Sequence, residues 1–211
     1  MEIRIRGQHF RLLHQKAVYW IETKTLLISD LHLGKITHFR KAGIAAPTAA
    51  FESNFIRLEE LILQNQPEHI VFLGDLFHNR YNKEWDRFEE WRNRHRSIEM
   101  LLLIGNHDIL PADLFRKADI NLADHWEDGQ FLLYHHPIEN YTGPAYIISG
   151  HVHPVYCLRS SGRQYIKLPC FIVDQGQMIL PSCDVFTGGY EMDKVKGREI
   201  FVVAGEKVIG V

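Results

Sequence analysis

Thr25-Leu-Leu-Ile-Ser-Asp-Leu-His32, His69-Ile-Val-Phe-Leu-Gly-Asp75 and Met100-Leu-Leu-Leu-Ile-Gly-Asn-His-Asp108 share one pattern. Each is a short apolar run that stops at a small residue and then presents carboxylate, imidazole or amide groups. Phe131-Leu-Leu-Tyr-His-His136 and Tyr146-Ile-Ile-Ser-Gly-His-Val-His153 repeat it. Short apolar runs bounded by Gly, Asp or Asn read as buried strands. In open α/β sheets, sites gather beyond the carboxyl ends of strands. A lone Asp-x-His reads as a turn and a lone His-x-His as a surface feature. Five strand ends that each deliver ligands are another matter. They supply enough oxygen and nitrogen for two cations side by side, the arrangement that clamps both the attacking and the leaving oxygen of a phosphoryl displacement.

The rest of the chain fits one domain over residues 1–211, with 45% apolar residues and no repeat or linker. Met1-Glu-Ile-Arg-Ile-Arg6 alternates like a strand and does not read as a signal peptide. No apolar run approaches membrane-spanning length, so a cytoplasmic protein without a membrane partner is expected. Cys157, Cys170 and Cys183 are odd in number and form no Cys-x-x-Cys pair, so they read as small apolar residues on late strands. A formal charge of −2 lacks the basic footprint of a duplex-binding domain. Arg87, Arg92, Arg94, His95 and Arg96 are interleaved with Glu84, Asp86, Glu89 and Glu90, which predicts a solvated helix face.

The spacing of Phe51, Phe55, Leu58 and Ile62 predicts a helix over 47–64, with Thr48 as its N-cap. A second is predicted from Lys83 to about His95, with Trp85, Phe88 and Trp91 directed to the core. After His153 come strand patterns at 155–158, 164–167, 170–173, 178–180, 199–203 and 207–211. Strand–helix alternation followed by a run of strands predicts two packed sheets flanked by helices.

Asp-x-His, Gly-Asp, Gly-Asn-His-Asp, a lone His and Gly-His-x-His, in that order from Leu26 to His153, resemble the calcineurin-like metallophosphoesterases. Tyr19-Trp20, Leu26-Leu-Ile-Ser-Asp-Leu-His-Leu-Gly-Lys35, Phe39-Arg-Lys-Ala-Gly-Ile44, Gly74-Asp-Leu-Phe-His78, Gly150-His-Val-His-Pro154 and Phe186-Thr-Gly-Gly189 bring it closest to the PdeM group. These are bacterial DNA-damage-response endonucleases associated with a DNA ligase and a helicase. The chain departs from that pattern at Leu180-Pro-Ser-Cys-Asp184. The resemblance implies an α/β fold, a four-layer α/β/β/α sandwich of two mixed sheets, and a homodimer.

The resemblance also implies the roles. Asp30, His32 and His153 hold the first ion; Asn106, His135 and His151 hold the second; Asp75 bridges them. The mixed N/O donor set without thiolate favours manganese, iron or zinc over copper, and the resemblance selects manganese. His135 is taken as the ligand because it directly ends its strand, and His136 then faces substrate or solvent. His107 is the expected general acid, oriented by Asp108, for in-line attack by a hydroxide held between the ions. His78, His38, Arg40 and Arg80 are candidates for phosphate contact. A phosphodiesterase or nuclease acting on DNA is the leading function. A small-molecule phosphomonoesterase or cyclic-nucleotide phosphodiesterase is the first alternative. A non-catalytic scaffold is the second, and the full donor set weighs against it.

Overall fold

The computed structural model describes residues 1–35, 49–78, 83–159, 162, 164–184 and 188–211. In it, Thr25–Ile28 is a strand (β4) buried along its whole length. A strand covered on both faces needs no polar alternation, and Thr25-Leu-Leu-Ile has none. Strands β1 (Glu2–Ile5), β2 (Gln8–Leu12) and β3 (Ala17–Trp20) lead into it as an antiparallel meander. Strands β5 (His69–Phe72), β6 (Glu99–Leu103) and β7 (Ile120–Ala123) then add in parallel, so the seven lie in chain order.

Parallel neighbours need crossovers. These contain α1 (Ala49–Asn65), α2 (Lys83–Arg94) and α3 (Ala112–Lys117). All three pack on the outer face of this sheet. Phe55, Leu58, Leu61 and Ile62 of α1, Trp85, Phe88 and Trp91 of α2 and Phe115 of α3 share one cluster with Leu26, Ile70, Phe72 and Met100. The α2 aromatics are therefore core.

The second sheet holds nine strands: β8 (His125–Asp128), β9 (Phe131–Tyr134), β10 (Tyr146–Ser149), β11 (Pro154–Arg159), β12 (Tyr165–Val173), β13 (Gln177–Ile179), β14 (Tyr190–Glu191), β15 (Glu199–Ala204) and β16 (Lys207–Gly210). At its centre β10 runs parallel to both β9 and β13. Phe10, Trp20, Leu27, Val71 and Leu103 of the first sheet meet Phe131, Leu133, Ile148 and Phe171 of the second in the inter-sheet core. The Trp20 and Phe131 rings lie there 4.7 Å apart, edge to face. The protein is thus an α/β sandwich of two mixed sheets with flanking helices. On the outer face of the second sheet, Cys170, Ile172 and Val202 pack against Tyr156, Leu158 and Leu168. No helix among the described residues is long and apolar enough to cross a membrane.

Three sequence expectations change. The segments 164–167 and 170–173 are one strand, β12, rather than two. Its first half pairs with β11, and beyond Pro169 it pairs with β13 and β15, so the proline, which offers no N–H, marks the change of partner rather than an end. Cys183 is buried in the loop after β13 and not on a strand. Arg92 does not belong to a solvated face: it is 1% exposed. Its guanidinium donates to the carbonyls of His95 (2.6 Å), Asp119 (2.9 Å) and Ala118 (3.1 Å), capping the ends of α2 and α3. Thr48, the expected N-cap of α1, lies outside the described residues.

Losing that cap strands three carbonyls. Arg92→Met is expected to cost about 3 kcal/mol in urea unfolding, whereas Arg87→Met, on the exposed side of α2, is expected to change stability by less than about 0.5 kcal/mol.

Candidate metal centre

The parallel registers of β4, β5 and β6 bring three carboxyl ends to one edge, and the parallel β9–β10 pair brings two more from the other sheet. The loops beyond these ends stay hydrogen-bonded to one another. The Asp30 amide donates to the Gly74 carbonyl (3.2 Å), His32 to Asp75 (2.9 Å) and Gly150 to His135 (3.1 Å). Two bonds tie the sheets together through the site itself: His151 N–H donates to Asp30 Oδ2 at 2.9 Å, and His135 Nδ1–H donates to the Leu73 carbonyl at 2.7 Å.

The second of these bonds decides the chemistry. A carbonyl only accepts, so His135 carries its proton on Nδ1 and presents a lone pair at Nε2. That lone pair faces Asn106 Oδ1 at 3.2 Å, His151 Nδ1 at 3.2 Å and Asp75 Oδ1 at 3.6 Å. Lone pairs set against one another repel, and a cation or a donated proton among them relieves that. On the other side, His153 Nε2 stands 3.2 Å from Asp30 Oδ1 and 3.4 Å from His32 Nε2. Among the described residues, Asp30/His32/His153, Asp30/Asp75/His135 and His135/His136/His151 each bring their donor atoms within 4.8 Å of one another. The residues fit divalent metal.

Protonation agrees with that role. Burial, resisted by Asp30 and Asp184 and helped by Lys35 and His153, brings His32 down to about 3. Burial and the neighbouring imidazoles also lower His151. Both rings are neutral at ordinary pH, the form in which imidazole binds a cation. For Asp30, burial pushes the carboxyl up, but the His153 contact and the Ser29 hydroxyl outweigh it, and the net shift is downward.

The backbone is strained here. Asp30 (φ 51°), His32 (48°), Asp75 (52°), His151 (68°) and His153 (52°) all adopt the left-handed region. For a side chain with a Cβ this costs on the order of 1–2 kcal/mol each, and such strain collects at functional sites. Two glycines make the approach possible. A Cβ on Gly74 (φ +85°) would fall 2.1 Å from His135 Nδ1, and one on Gly150 would fall 1.6 Å from Ser29 Oγ.

Around this core the expected residues divide. The His107 amide donates to Asp75 Oδ1 at 2.9 Å, and its ring lies 5.5 Å from that of His32 and 5.0 Å from that of His78, so both rings flank the Asp30/His32/His153 group. Asp108 differs from expectation. Its carboxylate accepts from the backbone N–H groups of Asp75 (2.7 Å), Gly105 (2.9 Å) and Phe77 (3.2 Å), so it fixes the two ligand loops rather than steering the His107 ring. Burial, offset in part by these bonds, raises it to about 6. His136 joins the cluster of His135 and His151. Arg40, Arg80 and His38 lie outside the described residues.

Sequence reading missed the segment after β13. Ser182 Oγ donates to the Asp30 carbonyl (2.8 Å) and the Cys183 amide to the Ser29 carbonyl (2.9 Å). Buried Asp184 pairs with Lys35 at 3.3 Å. The residues that depart from the resembled pattern thus brace the first ligand loop; that departure was the one signal of it.

Two mixed sheets with flanking helices and a cation-binding donor set at the carboxyl ends of five strands define a metal-dependent phosphoester hydrolase. Residues 23–137 match the calcineurin-like phosphoesterase family, and the chain belongs to it. The crystal structure of Pseudomonas putida nuclease MPE is similar over 100% of this chain and 99% of that one, with 32% identity and a TM-score of 0.82. Yfce, a phosphoesterase from E. coli, aligns at 15% identity and a TM-score of 0.45 over 89% of this chain and 97% of that one. Entamoeba histolytica Vps29, solved with zinc, aligns at 13% and 0.37 over 89% and 96%. No curated protein matches.

Gly150→Ala is expected to weaken Mn²⁺ binding at least about 10-fold in calorimetric titration, because its methyl displaces Ser29 and Asp30. Gly176→Ala, whose added Cβ meets nothing within 4 Å, is expected to bind as wild type.

Proposed function

We propose that this hydrolase is a two-metal phosphodiesterase that cleaves nucleic acid, with manganese as its ion. The observation that carries the reading is the buried His135 lone pair facing the oxygens of Asn106 and Asp75. Asp30, His32, Asp75 and His153 would hold one ion, and Asp75, Asn106, His135 and His151 the other. Two such ions, when bound, neutralise charge on the phosphoryl oxygens and make water nucleophilic near neutral pH. The chain's own groups do the rest. Asp75 faces both halves of the site, its position fixed by the His107 amide and by Asp108. His107, flanking the first donor group, is placed to give a proton to the departing oxygen. A nucleic-acid substrate is supported by the full-length similarity to Pseudomonas putida nuclease MPE.

Hydrolysis of bis(p-nitrophenyl) phosphate beside p-nitrophenyl phosphate, with added Mn²⁺, tests the class. Cleavage of the diester that disappears in Asp75→Ala is expected, followed by incision of single-stranded DNA. Preference for the monoester would replace the nuclease reading with a small-molecule phosphatase. Silence on both substrates from protein holding two ions would sink the diesterase reading.

His107→Ala is expected to retain both ions by elemental analysis while turnover falls about 10²- to 10⁴-fold. Unchanged turnover would remove His107 from the mechanism.

A further inference from the structure

The group His135/His136/His151 has one member that the donor assignment above does not use. On a strand, consecutive side chains point to opposite faces, so adjacent histidines should be separated by the sheet. Here the chain leaves β9 at Tyr134 and bends, and both rings turn to the same side. The His136 ring lies 4.6 Å from that of His135 at an interplanar angle of 70°. It lies 4.1 Å from that of His151 at 67°. One ring nitrogen from each of the three lies within 4.8 Å of the others. Opposite donors of one ion with bonds of about 2.1 Å are roughly 4.2 Å apart, so a small ring rotation brings all three onto one cation.

We propose that His136 is a fifth protein ligand of the second ion, which then has three imidazoles where the first has two. This rests on the reading of the site as a two-ion centre. It makes the halves unlike in character. Imidazole suits cobalt, nickel, zinc and iron better than manganese, whereas carboxylates suit manganese. The second position therefore owes more of its affinity for an imidazole-seeking ion to His136 than it owes of its affinity for Mn²⁺.

The test is titration of metal-free protein with Co²⁺, followed by calorimetry and by the visible absorption that reports cobalt coordination. Wild type is expected to bind two equivalents. In His136→Ala one equivalent is expected to bind as before, while the other weakens about 10- to 100-fold with a changed spectrum, and free imidazole is expected to restore both. The same variant titrated with Mn²⁺ should lose less. Two unchanged equivalents in His136→Ala would overturn the assignment. So would equal weakening of both without rescue by imidazole, the behaviour of a residue that only packs. Wild type binding fewer than two ions would instead fail the two-ion reading itself, and this assignment with it.

Discussion

Everything in this molecule is arranged around a repulsion. Asp30, Asp75, His32 and His135 are nearly inaccessible to water, and all turn electron pairs toward a common space. Left alone, such a group would recruit protons or swing apart. The fold prevents both. The Leu73 carbonyl holds the His135 ring in place through Nδ1, and His32 is too buried to take a proton near neutrality. The loops that carry them are knitted by backbone bonds across sheet boundaries. Left-handed backbone at five donor residues belongs to the same arrangement. It is an energy stored by the surrounding core, and it leaves the donors pre-set, so a cation finds them with little reorganisation left to do.

That dependence explains why the sheets are built as they are. Parallel pairing of β4, β5 and β6 in one sheet and of β9 and β10 in the other brings five strand ends together at the site. The helices on the first sheet are the crossovers that parallel pairing demands. The aromatic inter-sheet layer of Phe10, Trp20 and Phe131 fixes the spacing between the halves of the site.

Much of this was legible in the chain. The apolar runs named their strands, the Phe55–Leu58–Ile62 spacing named its helix, and the polar groups behind each run named the donors. What was not legible depends on backbone direction and distant partners. Asp108 was read as a side-chain partner of His107, but its carboxylate accepts from backbone N–H groups, and nothing in a side-chain pattern tells where an amide points. Arg92 was placed on a wet surface because the carbonyls that bury it come from positions 95, 118 and 119. His136 was assigned to substrate or solvent because His135 directly ends β9; its packing against the His135 and His151 rings depends on a bend no pattern announces. The segments 164–167 and 170–173 were read as two strands, because a change of pairing partner at Pro169 leaves no mark in the apolar pattern.

The bonds from Ser182 and Cys183 to Asp30 and Ser29 carry one more consequence, for the order in which the molecule comes into being. Every candidate donor precedes residue 154, yet the brace on the first loop is made almost thirty residues later, and β15 and β16, which pair alongside β12, come later still. A nascent or prematurely terminated chain therefore carries the full set of donors without the frame that holds them. Positioning of the first loop thus depends on residues that follow all the donors in the chain.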